Sequence, residues 1–207
     1  MPTVPAAVSR VCAEYVSDLH TRAMPIRPWR LIRSEDAFRD RWYHLRRDTV
    51  ELPDGTLVDD YFVSERADIA QVVALTPQRQ VVFVRQYKHG IGEITLELPG
   101  GVVDAGETPE AAATRELAEE TGYGADAVEP LGALVHDPPK TTNRLHGFLA
   151  RDATLSQDPQ PDVTEQIEVV LLPLAEVERR LAEHELDVAS TLALLYRALT
   201  ALKRRPG

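Results

Sequence analysis

Apolar and polar side chains alternate over part of residues 42–52, the period-two pattern of a half-buried strand. Pro53-Asp54-Gly55 follows as a turn signal, and Thr56-Leu57-Val58 resumes the strand, continued by Tyr61-Phe62-Val63. This stretch predicts an antiparallel hairpin. Residues 69–75 and 80–86 predict two further strands, broken at Thr76-Pro77-Gln78. A short strand is expected over 95–98, before Pro99-Gly100-Gly101, and others over 131–135, 144–150 and 167–172.

The period changes at residues 108–121, which predict a helix. Thr108 is a capping residue, Pro109 suits the first helical position, Glu110 favours the positive end of the dipole and Gly122 supplies the stop. Helical spacing returns over 174–184 and 188–203, where Leu192, Leu195, Tyr196 and Leu199 recur. Residues 1–28 differ in character. A short helix is expected over 5–16, and Met24 precedes Pro25-Ile26-Arg27-Pro28-Trp29. Two readings stand there: a start of translation at Met24, or a poorly ordered N-terminal arm. Mixed strands flanked by two or three helices read as α/β or α+β.

Composition narrows the classes of function. The 207 residues amount to one ordinary domain plus an extension. A 43% hydrophobic and 27% charged content is that of a soluble globular chain, and no apolar run reaches the ~20 residues of a membrane span. Cys12 is the single cysteine, which excludes a disulfide within the chain and any zinc site built on paired cysteines. The net charge of −10 repels phosphate polymers and argues against bulk nucleic-acid binding. A soluble, cytoplasmic protein is expected.

The candidate chemistry lies on the helix at 108–121. Glu116, Glu119 and Glu120 stand at i, i+3 and i+4, so their carboxylates share one face. Like charges at that spacing repel, and the helix gains from them only if a cation sits among them. Hard oxygen ligands point to Mg²⁺ or Mn²⁺. Ala111, Thr114, Leu117 and Ala118 form the side expected to pack on a sheet, and Gly100 and Gly101 suit a loop that approaches a ligand closely. The alternative is a solvated acidic face.

The spacing of Gly101, Glu107, Arg115, Glu116, Leu117, Glu119, Glu120, Gly122 and Tyr123 resembles the signature of the Nudix hydrolase family at every position. Seven of those positions demand one residue type, so a chance match is on the order of one in a million, which outweighs the solvated-face alternative. The resemblance implies a mixed β-sheet between helices, and hydrolysis of a nucleoside diphosphate linked to another group. It implies that the Gly100 carbonyl and the carboxylates of Glu116, Glu119 and Glu120 bind divalent ions, Mg²⁺ or Mn²⁺. Arg115 would orient the glutamates, and Glu107 would brace the loop.

Similarity runs from about residue 29 to 199. Leu52-Pro53-Asp54-Gly55, Val84-Arg85-Gln86-Tyr87-Lys88 and Leu96-Glu97-Leu98-Pro99-Gly100 resemble the ADP-ribose pyrophosphatase branch, as does Pro139, sixteen residues after Tyr123. This implies substrate contacts at Lys88, Arg85 and Pro139. The branch has Ser-Pro-Gly and then a glutamate in that loop, whereas this chain reads Asp137-Pro138-Pro139-Lys140-Thr141-Thr142-Asn143-Arg144, with Arg144 about where the glutamate is expected. A later-loop carboxylate near the last metal or the attacking water is implied at Glu165, with Asp162 as second choice. The expected reaction is ADP-ribose to AMP and ribose 5-phosphate. Another nucleoside diphosphate sugar, or a non-catalytic sensor of such ligands, are the alternatives. The expected organisation is an arm over 1–28, a β extension over 29–64 that makes a homodimer, and a catalytic domain over 65–207.

Overall fold

The computed structural model describes residues 25–160 and 166–204. The helix expected over 5–16, Cys12, Met24, Asp162 and Glu165 lie outside the described residues. The described residues fall into two compact units, one including Arg47–Tyr61 and the residues from 25 to 35, the other Asp36–Arg46 and the described residues from Phe62 on.

Strands β1 (Arg30–Arg39), β2 (His44–Glu51) and β3 (Leu57–Glu65) form a three-stranded sheet in that order. The hairpin read at 53–55 is there: Gly55 N–H donates to the Leu52 carbonyl at 2.9 Å, and Thr56 N–H to Asp54 Oδ1 at 3.0 Å. Strand β1 has no counterpart in the sequence reading. Half of its residues are charged and none is buried, so no core face imposes an alternating pattern. It pairs through its backbone, with Arg30 bonded to Glu51 and Ser34 Oγ donating to Asp48 Oδ1 at 2.6 Å.

The second unit is built on a larger sheet with the order β12-β5-β4-β10-β9, from β4 (Ile69–Leu75), β5 (Gln80–Lys88), β9 (Val128–Val135), β10 (Arg144–Ala150) and β12 (Ile167–Pro173). Strand β4 is central and buried on both faces, which explains its nearly unbroken apolar run. It runs parallel to β10 and antiparallel to β5, so the sheet is mixed. One side of the sheet packs Val73, Leu75, Phe83 and Leu149 against α2 (Leu174–Ala182) and α3 (Ala189–Arg204) through Val177, Leu181, Leu194 and Leu195. The other side packs Ala70, Val72, Val82 and Phe148 against Ala112, Ala113 and Leu117 of α1 (Pro109–Thr121). The result is the layered arrangement of a sheet between helices expected from the sequence. Among the described residues no helix is long and apolar enough to cross a membrane.

The sheet splits beside β4. Strand β5 pairs with β4 only at Ala74 and Leu75, then continues against β6 (Glu93–Glu97). The other end of β4 pairs with β7 (Gly100–Val102), through Ile69↔Val102, Ala70↔Gly101 and Gln71↔Gly100. The segment expected as a glycine loop thus begins as a short strand, because β4 has an edge there to satisfy. A further small pair, β8 (Tyr123–Gly124) with β11 (Thr154–Leu155), is too short to show a period in the sequence.

Two expected helix faces are corrected. On α1, Ala111 and Thr114 are exposed, and the buried positions are Ala112, Ala113, Leu117, Glu120 and Thr121. The phase is shifted because Glu120, a carboxylate, turns inward to a backbone donor described below. On α3, the buried positions are Thr191, Leu194, Leu195 and Ala198, while Tyr196 is 55% exposed.

Candidate active site

The local sequence fixes the entry and exit of α1. Thr108 has extended dihedrals and its side chain accepts the Ala111 N–H at 3.2 Å, one of the donors that a helix start leaves unpaired. Gly122 ends the helix in the left-handed region at φ 75°, with its N–H on the Ala118 carbonyl. The carboxylates are thereby held at a fixed height above β7.

Arg115 is the hub. Its Nε and Nη2 take both oxygens of Glu107, each at 3.0 Å, in a paired fork. Its Nη1 reaches Glu116 Oε1 at 2.8 Å and Glu119 Oε2 at 3.0 Å, and Nη2 also donates to the Val102 carbonyl at 3.1 Å. One guanidinium therefore ties together the loop after β7, the helix and two of its carboxylates. Hydrogen bonding to Arg115 holds the Glu107 carboxyl below its ordinary range. Bonds to Glu107 first, and to Glu116 and Glu119 after it, make the guanidinium more basic still. The cation that offsets the repulsion along α1 is thus Arg115, in the protein itself.

Glu120 is 2% exposed, and its Oε2 accepts the Gly100 N–H at 2.8 Å. This bond joins the helix to the strand that precedes the loop. Glu116 lies against that strand as well. A Cβ placed on Gly101 would stand 2.3 Å from Glu116 Oε1, so the carboxylate occupies the space that any other residue at 101 would fill. Gly101, Val102, Asp104, Arg115, Glu116, Glu119 and Gln160 enclose a polar hollow of about 440 Å³. The donors suit a hard divalent cation in chemistry, and the missing Cβ leaves a cradle for one of them. Three metal-ligating side chains do not converge on one point among the described residues: Glu116 and Glu119 share the hollow and Arg115, while Glu120 is directed to Gly100.

A second hollow, of about 280 Å³, opens on the other side of Gly101 and Val102, where β4 and β5 part. Lys88 stands in it, 3.5 Å from Glu97, and His136 lines its rim. Arg85 is elsewhere: it lies three residues from Lys88 on β5, on the opposite face, and is bonded to Glu168 of β12. Pro139 sits in an exposed turn in which the Asp137 carbonyl accepts the Lys140 and Thr141 N–H groups. Arg144 is exposed and does not line the hollow; its neighbour Asn143 does. His146 pairs with Asp68 at 2.8 Å. Sequence reasoning assigned no role to Glu97. Glu97 alternates with Ile94, Leu96 and Leu98 as any polar residue of a strand does, so no sequence signal singled it out.

Comparisons with known proteins agree with this architecture. Residues 65–195 match the NUDIX domain family, and residues 29–64 the nucleoside diphosphate sugar hydrolase N-terminal domain. The methanol dehydrogenase activator of Bacillus methanolicus is 30% identical over 84% of this chain and 95% of its own. The ADP-ribose pyrophosphatase of Bacillus subtilis is 29% identical over 80% and 90%. A crystal structure of an ADP compounds hydrolase superposes with a TM-score of 0.77 at 23% identity, covering 87% of this chain and 97% of that one, which shows a shared fold. With a signature complete from Gly101 to Tyr123, a family match over most of the chain and the sheet between helices, the chain belongs to the Nudix family of hydrolases.

Proposed function

We propose that the protein hydrolyses the pyrophosphate bond of a nucleoside diphosphate linked to a sugar, with ADP-ribose giving AMP and ribose 5-phosphate. Water adds to one phosphorus, the P–O–P bond breaks, and both products leave as phosphate monoesters. The observation that carries this reading is the Arg115 hub, which sets Glu116 and Glu119 side by side, Glu116 in the space that a glycine at 101 leaves to it. The name of the Bacillus subtilis relative supports ADP-ribose as substrate.

Gly100, through its carbonyl, and Glu116, Glu119 and Glu120 would hold Mg²⁺, with Mn²⁺ as a substitute. The bound ion would neutralise the pyrophosphate oxygens, which a chain of net charge −10 otherwise repels. Glu119, 43% exposed in the hollow, would take a proton from the attacking water. Glu165 is assigned the same task from the sequence, ahead of Asp162. Lys88, in the adjoining hollow, takes the substrate phosphates. Arg85 and Pro139, placed away from both hollows, are left without a part in this reading.

A homodimer built through the β extension belongs to the same proposal. The extension exposes Trp29, Leu31 and Ile32, apolar surface that a stable monomer covers. Light scattering at micromolar concentration would read twice 23.0 kDa.

The test is a panel of ADP-ribose, ADP-glucose, GDP-mannose and ATP, with Mg²⁺ and with a chelator, and products identified by mass spectrometry. AMP and ribose 5-phosphate, formed with Mg²⁺ and absent with chelator, is the expected result. Turnover of ATP alone, or of nothing, would overturn the assignment.

A further inference from the structure

The segment after β11 is laid along the end of α1. Ser156 N–H and Gln157 N–H donate to the Gly122 carbonyl at 2.9 and 3.2 Å, and Gln160 N–H donates to the Glu119 carbonyl at 2.7 Å. Gln157 Nε2 adds a bond to the Ala118 carbonyl at 3.3 Å. A helix end leaves such carbonyls without partners, and the backbone donors that take them here survive any change of side chain. The segment thereby brings Gln160 to the polar hollow of Arg115, Glu116 and Glu119. Among the described side chains that line this hollow, Arg115 and Gln160 alone carry N–H donors. Arg115 has no donor left. All five N–H groups of its guanidinium are taken: Nε by Glu107, Nη1 by Glu116 and Glu119, Nη2 by Glu107 and the Val102 carbonyl. The Gln160 side chain makes no hydrogen bond among the described residues.

We infer that Gln160 binds the substrate, its side-chain amide donating to a non-bridging oxygen of the pyrophosphate. This rests on the pyrophosphohydrolase reading above. A pyrophosphate entering a hollow lined by Asp104, Glu116 and Glu119 meets acceptors like its own oxygens. It needs N–H donors there as well as a cation. Arg115 is committed to the carboxylates and shapes the hollow without holding the phosphate. A neutral amide suits the remaining task. Lysine or arginine at 160 would pair with Glu116 and Glu119 and compete with a divalent ion for them, whereas glutamine donates without that charge.

The experiment sets Gln160→Met, which keeps the length and removes the donors, beside Gln157→Met and the parent. With Mg²⁺ present it measures kcat and KM for ADP-ribose. Titration calorimetry gives Kd for the methylene analogue, in which a CH2 group replaces the bridging oxygen. Gln160 is exposed and anchored by its backbone, so the variant should fold, which a thermal melt checks. KM and Kd should rise together by ~10-fold or more, with kcat within ~3-fold of the parent, as for a bond to an ionised acceptor made before the reaction. Gln160→Asn, whose amide falls one methylene short, should show the same rise. Gln157→Met, which loosens the segment away from the hollow, should leave KM and Kd within ~3-fold. Unchanged KM and Kd in the folded position-160 variants would overturn the inference and leave the proposed function standing. So would an equal loss in Gln157→Met, which would make the segment a brace, or a loss in kcat alone. A parent that neither binds the analogue nor turns over ADP-ribose would overturn the proposed function, and the inference with it.

Discussion

Gly101 and Glu116 are set so that a single methyl group would part them: a Cβ at 101 would lie 2.3 Å from the Oε1 atom of Glu116. The neighbouring Gly100 is different. A Cβ there would meet backbone, 2.2 Å from the Ala70 carbonyl oxygen, and its φ of +155° is one that side chains rarely adopt. A flexible side chain can move aside and a central strand cannot. Gly101→Ala should therefore fold with a melting temperature near that of the parent and lose activity by ~10-fold or more, as Glu116 is pushed out of place. Gly100→Ala should fail at the level of folding. Thermal melts and turnover of the two variants separate these effects, and equal activity in Gly101→Ala would show that the position of Glu116 does not matter.

Arg115 holds its partners by shape as well as by charge. Lysine would keep the charge and lose the fork to Glu107. Arg115→Lys should cost about 1–2 kcal/mol of stability, because the group is partly exposed. Activity should fall further, by ~10-fold or more, as Glu116 and Glu119 lose their common anchor. Urea titration and steady-state kinetics would check both numbers. Lost stability with unchanged kcat would make Arg115 a structural brace alone.

Asp68 joins the starts of β4 and β10. Its oxygens accept the Arg144 N–H and bond His146 Nε2, each at 2.8 Å. The Arg144 N–H, and His146 after it, hold its pKa below the ordinary 3.8. A carboxylate depressed in the folded state contributes stability that is present above its unfolded pKa and is lost as the pH falls through the folded one. The parent should thus lose stability below about pH 4, and Asp68→Asn should lose less over that interval, from a lower starting point at pH 7. Urea midpoints between pH 7 and pH 3 measure it. Parallel curves for the two proteins would refute the linkage.

How far the sequence disclosed this structure depends on what wrote each pattern. The signature helix was legible to within a residue, since Thr108, Pro109 and Gly122 are local signals acting on their own backbone. Strands β4, β5 and β10 were legible because burial imposes composition, and β12 because its apolar residues pack half-buried against the same cores. Strand β1 was not, because an exposed strand is held by backbone pairing that leaves no mark on side-chain order. The inward turn of Glu120 was also hidden. Periodicity grouped it with Glu116 and Glu119, whereas its partner, the Gly100 N–H, is supplied by a strand that only the tertiary fold brings near. The separation of Lys88 and Arg85 was legible by contrast, since an odd spacing of three on one strand sends two side chains to opposite faces.

The central claim is that the carboxylates of α1 carry a cation-dependent pyrophosphate cleavage. The most direct measurement is ADP-ribose turnover by Glu116→Gln at saturating Mg²⁺, beside the parent enzyme. Glutamine keeps the shape and an acceptor for Arg115 and removes the negative charge. A fall in kcat of at least ~100-fold, with the melting temperature nearly unchanged, is the expected result, the scale of losing one strong electrostatic group. Near-parental turnover in the folded variant would contradict the account.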